Sequence, residues 1–271
     1  MEGLIRLGIF STVFATMALW EMFRPRRLLA QPRSERWPAN LGLTFLNMAL
    51  VRVTLGGAAY GAAVCALDRG IGVLHWAPLP LWAAAAVTII GLDLAVYFQH
   101  VMFHAVPVLW RLHRVHHADL GFDTTTGLRF HPVEIFLSLA LKAAVVVLMG
   151  AVPWAVIAFE VLLNASSLFN HGNVKIPEPV DRWLRWVMVT PDMHRIHHSP
   201  RVGETNSNFG FSVSWWDRAF GTYRRAPVLG QLGMETGLGE YRSPLGFGEL
   251  LLLPFKGGAG RYTFEGSRIA A

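Results

Sequence analysis

Apolar residues run in long blocks separated by short polar or glycine-proline breaks, and only the last third of the chain loses this pattern. Residues 3–23 form the first block, 41–67 the second and 81–104 the third, and 133–152 and 154–170 form a pair divided by Gly150 and Pro153. A helix rises about 1.5 Å per residue, so blocks of about 20 apolar residues match the thickness of a bilayer core. The pattern predicts an all-α integral membrane helical bundle of about four to five spans. The first block continues past the length of a signal-peptide core and ends in Trp20-Glu21-Met22-Phe23, with no small-residue cleavage site, so it reads as a span. The 133–170 pair reads as a helical hairpin that leaves one side of the membrane and returns to it.

Composition strengthens this reading and charge orients it. Of 271 residues, 53% are hydrophobic and 15% charged, against about 25% charged in soluble domains. The formal net charge of +6 comes from arginines beside the spans, not from a separate basic domain, which argues against a nucleic-acid partner. Arg24, Arg26, Arg27, Arg33 and Arg36 face a single acid, Glu35, in a loop broken by Pro25, Pro32 and Pro38, and such an excess marks the cytoplasmic side. The loop 68–80 has no basic excess. Block 81–104 therefore returns to the cytoplasm, and the hairpin keeps the following segment there. Gly56 to Ala63 suits close helix approach, and Arg52 in the same block is expected to face the bundle or snorkel. Trp183, Trp186, Trp215 and Trp216 suit a membrane interface, and Leu250 to Phe255 is too short to span. The expected organisation is N-terminal spans over 1–80, a catalytic region over 81–225 and a cytoplasmic or interfacial tail over 226–271.

Chemistry concentrates where the third block ends. His100 and His104 stand four apart, and His113, His116 and His117 stand at i, i+3 and i+4, so each set projects from one helical face. His194, His197 and His198 repeat the HRxHH pattern downstream. His171 emerges from the returning helix on the same side and reads as a ninth ligand. One tetrahedral zinc site needs fewer ligands than this, so the number points to two adjacent metals. Imidazole suits zinc, copper, iron or nickel, and ligand type alone does not choose among them. Cys65, the lone cysteine, excludes disulfides and cysteine-based metal sites within one chain. Asp93 lies on the stripe of His100 and His104 and is expected to hold a ligand imidazole from behind, with a bond to Arg52 as the structural alternative. His131, between Phe130 and Pro132 with Glu134 in the next turn, fits a capping role as well as a place beside the ligands. His75 reads as a structural residue. No HExxH, no ExxH pairs and no glycine-rich nucleotide motif occur, so reducing equivalents must come from outside the chain.

The set HVMFH, HRVHH and HRIHH, in this order among membrane spans, resembles the fatty acid hydroxylase and sterol desaturase superfamily. The likeness covers residues 85–225 and includes Asp93, Tyr97, Phe130-His131-Pro132-Val133-Glu134, Asn170-His171, Thr190-Pro191, Asn208-Phe209-Gly210 and Trp216-Asp217-Arg218. It implies two non-haem irons on His100, His104, His113, His116, His117, His194, His197 and His198, with His171, and support around them from Asp93, His131 and Asn208. It also implies dioxygen as oxidant, an external ferredoxin- or cytochrome-type electron donor, and hydroxylation or desaturation of an unactivated C–H bond in a sterol-like or fatty acyl lipid. Some relatives carry a histidine four residues after the His171 equivalent, where this chain has Lys175. The alternative reading is a membrane metal carrier or zinc-dependent hydrolase without oxygenase activity.

Overall fold

Glycine and proline divide the apolar blocks into helices. The computed structural model describes residues 2–54, 56–241 and 243–264, and their regular structure is helical. The long elements are α1 (Glu2–Phe23), α2 (Arg33–Thr54), α3 (Ala58–Arg69), α4 (Leu81–Ala105), α5 (Pro107–His117), α6 (Pro132–Met149) and α7 (Pro153–Asn170). By length and composition, four stretches are able to cross a membrane: Gly3–Phe23, Arg33–His75, Leu81–Ala105 and Pro132–Met149. The expected second span over 41–67 is not one helix. It is divided between α2 and α3, because Gly57 takes φ +76°, a left-handed backbone that glycine adopts without steric cost. Leu55 lies outside the described residues. Arg52 is exposed on the last turn of α2 and takes the outward of its two expected placements.

The membrane core forms where α3, α4, α6 and α7 meet. Ala59, Ala63, Leu92, Val146, Val156 and Phe159 are buried together there. Ala59, Ala63 and Ala66 recur at helical spacing on α3, and such small side chains let helices approach closely. Gly91 of α4 does the same, since a Cβ added there would lie 2.6 Å from the Met149 side chain of α6. Gly150 caps α6 with φ +66° and Pro153 starts α7, so the chain turns back within a few residues. Glu134 at the start of α6 and His171 after α7 both reach the histidine cluster, which establishes the out-and-back path of the hairpin. Glu160 of α7 pairs with Lys142 of α6 at 3.0 Å and with Arg6 of α1, so two cations neutralise a carboxylate held among apolar helices.

Beyond α7 the elements are short: α8 (Glu178–Leu184), α9 (Pro191–His197), α10 (Val202–Thr205), α11 (Trp215–Ala219), α12 (Gly230–Gly233) and α13 (Phe247–Leu252). The arginine loop after α1 lies at this end of the molecule, because Arg26 N donates to Asn173 O and Lys175 N to Arg24 O, both at 2.9 Å. Glu21, on the last turn of α1, accepts from the backbone N–H groups of Thr124 (2.7 Å) and Asn173 (2.8 Å) and so ties two loops together. The C-terminal segment, expected as a tail, packs into the cap. Leu238, Leu250, Leu253 and Tyr262 bury against Trp110, Val115 and Leu43, and Arg114 donates to the carbonyls of Leu253 (2.5 Å) and Gly258 (2.6 Å). Residues 265–271 of that tail lie outside the described residues. Trp183, Trp186 and Trp215 are exposed on the cap, as an aromatic belt at a membrane interface requires.

Candidate metal centre

Four segments deliver the histidines to one point. His100 and His104 occupy the last turns of α4, which ends at Val106 in extended backbone before Pro107, the conformation a following proline favours. The chain turns there, and α5 presents His113, His116 and His117. His171 is the first residue past α7. Pro191 opens α9, Thr190 caps it by accepting from Met193 N at 3.4 Å, and His194, His197 and His198 follow. All nine are buried.

The nine divide into two groups. Ligand atoms of His100, His104, His113, His117 and His197 lie within 4.8 Å of one another, and those of His116, His171, His194 and His198 do likewise. The two HRxHH boxes contribute in opposite senses. The first gives its i, i+4 pair, His113 and His117, to the five-histidine pocket and His116 to the other. The second gives His194 and His198 to the four-histidine pocket and His197 to the first. The rings of His117 and His198 stack at 4.5 Å between the pockets.

Hydrogen bonds to the ring nitrogens test whether this set suits a cation. His100 Nδ1 donates to Phe209 O and His197 Nδ1 to Ser207 O, both at 2.8 Å, and a carbonyl oxygen only accepts. His104 Nδ1 donates to Asn206 Oδ1 at 3.2 Å, whose own Nδ2 is committed to Tyr262 O at 2.9 Å. His113 Nδ1 lies 2.6 Å from a Glu134 carboxyl oxygen. The bonds to the Phe209, Ser207 and Asn206 oxygens place the proton on Nδ1 and leave a lone pair on Nε2, whereas the buried His113–Glu134 pair shares one proton. The Nε2 atoms of His100 and His113 are 3.1 Å apart, and those of His104 and His197 are buried with no hydrogen-bond partner among the described residues. Lone pairs meeting in a buried space repel one another unless a cation lies among them, so the donor set fits a metal. Burial pushes the pKa of His113 and His171 down to about 3. Burial and then neighbouring histidines hold His116, His117, His194, His197 and His198 well below the ordinary value, in the neutral form that ligates metal.

The residues expected to support the ligands are placed differently. Asp93 is buried, but its Oδ2 accepts from Trp216 Nε1 at 2.8 Å, and it touches neither an imidazole nor Arg52. Asp93 stands seven residues before His100, about 10 Å down the helix, where α11 rather than the histidines covers the α4 face. Asp93→Asn is accordingly expected to retain full metal content and lose about 1 kcal/mol of stability as a charge-assisted bond becomes a neutral one. Metal analysis alongside thermal unfolding checks this, and a tenfold loss of metal affinity would reinstate the imidazole role. His131 caps α6 by accepting from Val133 N at 3.2 Å, its Nε2 donates to Leu251 O at 3.2 Å, and it joins neither pocket. Asn208, at φ +54°, donates to Met193 O (2.9 Å) and Arg224 O (3.0 Å), fastening the loop after α9 without reaching a ring. The carboxylate that does reach a ring is Glu134. Its position in the first turn of α6 reads as a helix-start signal, and nothing in spacing shows that α5 lies opposite. Asp217 acts one step further out, accepting from Phe209 N at 2.7 Å and Gly210 N at 2.9 Å and so setting the carbonyl that holds His100. Burial raises its pKa to about 6.

The sequence model described as fatty acid hydroxylase matches residues 85–222, the stretch that carries every histidine of both pockets. An ornithine lipid hydroxylase of Rhizobium tropici is 29% identical over 234 residues, 80% of this chain and 68% of that protein. An alkylglycerol monooxygenase of Xenopus tropicalis is 28% identical over 137 residues, 51% of this chain but only 30% of that longer protein. A cholesterol 25-hydroxylase of Homo sapiens is 26% identical over 176 residues, 58% of this chain and 62% of that protein. No solved structure matches the chain.

Proposed function

The chain belongs to the fatty acid hydroxylase family, and from that premise we propose that it is a membrane-bound di-iron oxygenase that hydroxylates a fatty acyl or sterol-like lipid. The observation that carries the proposal is the pair of adjacent all-histidine pockets at the end of α4 and α7. Two irons bound there would supply, with dioxygen and electrons from an external ferredoxin- or cytochrome-type donor, the oxidising power that an unactivated C–H bond requires. The five-histidine pocket would be formed by His100, His104, His113, His117 and His197, and the four-histidine pocket by His116, His171, His194 and His198.

The chain's own residues position and enclose this chemistry. The carbonyls of Phe209 and Ser207, the Asn206 amide and the Glu134 carboxylate orient four rings. Phe103, Trp110 and Phe209 bury the rings and keep bulk water from them. The exposed aromatic residues of the cap support lateral access for a lipid, and the arginine loop at the same end supports a cytoplasmic face. Hydroxylation is favoured over desaturation because the matched relatives are hydroxylases and monooxygenases. A carrier would hold metal at mid-span on broken helices, whereas these ligands cluster at one end of intact ones.

The test is lipid mass spectrometry of cells expressing the chain under heavy-isotope dioxygen. A lipid carrying one heavy oxygen atom is expected, and it should be absent when His197→Ala is expressed to the same level. A product that had only lost two hydrogens would replace hydroxylation with desaturation, and oxygen drawn from water would end the oxygenase reading.

A further inference from the structure

The two pockets differ in what stands behind their rings. In the five-histidine pocket, His100, His104, His113 and His197 each have Nδ1 bonded to an acceptor. In the four-histidine pocket only His171 does, through Ser167 O at 2.8 Å. The Nδ1 atoms of His116 and His194 and both ring nitrogens of His198 are buried with no hydrogen-bond partner among the described residues. His116 is held by stacking on Phe130 at 4.5 Å, and His198 by Phe122 at 5.1 Å, contacts that restrain a ring but choose no tautomer. The carboxyl groups near the two pockets differ as well. Glu134 is buried with one oxygen 2.6 Å from His113 Nδ1 and a second oxygen that has no hydrogen-bond partner among the described residues. Asp119, which acts on His171 across space, is already paired with Arg36.

We infer that the five-histidine pocket is the retentive metal site and the four-histidine pocket the exchangeable one, and that Glu134 is the positioning residue that creates the difference. The inference rests on the di-metal reading above and ranks its two sites. Rings with a preset tautomer and direction lose little freedom when metal binds, and a carboxylate behind an imidazole makes it a stronger donor. In the other pocket, three of the four rings must select a tautomer as the metal arrives.

The experiment challenges the purified full-length protein, carrying the metals with which it is isolated, with EDTA and follows metal per chain over time by mass spectrometry. Release is expected in two steps, with a one-metal form persisting at least about tenfold longer than the two-metal form. Glu134→Gln keeps an acceptor beside His113 Nδ1 but removes the carboxyl group, and should shorten the slow step about 10–100-fold while leaving the fast step unmoved. His194→Ala should begin as the one-metal form and release it at the wild-type slow rate. If Glu134→Gln fails to accumulate, Asn206→Ala probes the same pocket through His104 and must shorten the slow step. Two metals leaving together from the wild type, or a Glu134→Gln variant that speeds both steps alike, would overturn the ranking alone. A protein isolated with no transition metal would overturn the di-metal reading itself.

Discussion

His116→Ala is expected to reduce the metal content from about two ions per chain to about one and to lower product formation by more than about 100-fold. Losing a partner behind a ligand costs about 10–100-fold, and losing the ligand itself costs more. His116 is the demanding choice because it leaves the four-histidine pocket with His171, His194 and His198 only. One of these, His198, has no hydrogen bond among the described residues to hold it in place. His75→Ala is the matched control, since His75 is exposed near Gly150 at the far end of the bundle. It should retain both metals and wild-type turnover. Metal analysis and lipid product measured at equal membrane abundance check the pair. A His116→Ala protein that kept two ions would mean that the four-histidine pocket is not a metal site.

The histidines were legible because helical spacing reports directly which side chains share a face. The i, i+4 pairs His113–His117 and His194–His198 each enter a single pocket, as their periodicity requires. Spacing does not report what covers that face. Asp93 shares a stripe with His100, yet the depth between them hands it to Trp216. Glu134 reads as a first-turn acid, yet it meets His113 because the loop after α5 folds α6 back beside it. The break between α2 and α3 has a related origin: Gly56 and Gly57 signal both close packing and a turn, and the left-handed backbone at Gly57 decides for the turn. The role of the C-terminal segment was hidden for a further reason. It is pinned by Arg111 and Arg114, whose partners are backbone carbonyls that carry no sequence signature.

Arg36→Leu is expected to destabilise the protein by about 3–5 kcal/mol, the usual cost of removing one partner from a buried ion pair. Domain stabilities of about 5–15 kcal/mol make that a loss large enough to lower the folded fraction. The Arg36 side chain is fully buried, with Nε 2.6 Å from Asp119 Oδ1, Nη2 2.9 Å from Asp119 Oδ2 and Nη1 2.7 Å from Asp123 Oδ2. Asp119 also accepts from Thr126 Oγ1 at 2.8 Å and Asn40 Nδ2 at 3.1 Å, which seats the turn after His117 on α2. Leucine fills part of the volume but takes Arg36 from Asp123 and leaves Asp119 with Arg129 alone, 3.6 Å away. Arg36→Lys keeps the charge without the bidentate fork and should cost less than leucine. Acid separates the charge effect from lost packing. Burial alone would raise the pKa of Asp119, but Arg36 and then Arg129 hold it below the usual carboxylate range. A carboxylate with a depressed folded pKa contributes stability that is fully present above its unfolded value, about 3.9, and fades as pH falls below it. In Arg36→Leu the larger part of that depression is lost and only Arg129 still opposes burial, so the stability gap to wild type should narrow as pH falls below about 4. Histidine titration is common to both proteins and cancels in the difference. Thermal unfolding of the two proteins across that range is the measurement, and a gap that stayed constant would assign the loss to packing rather than to the buried pair.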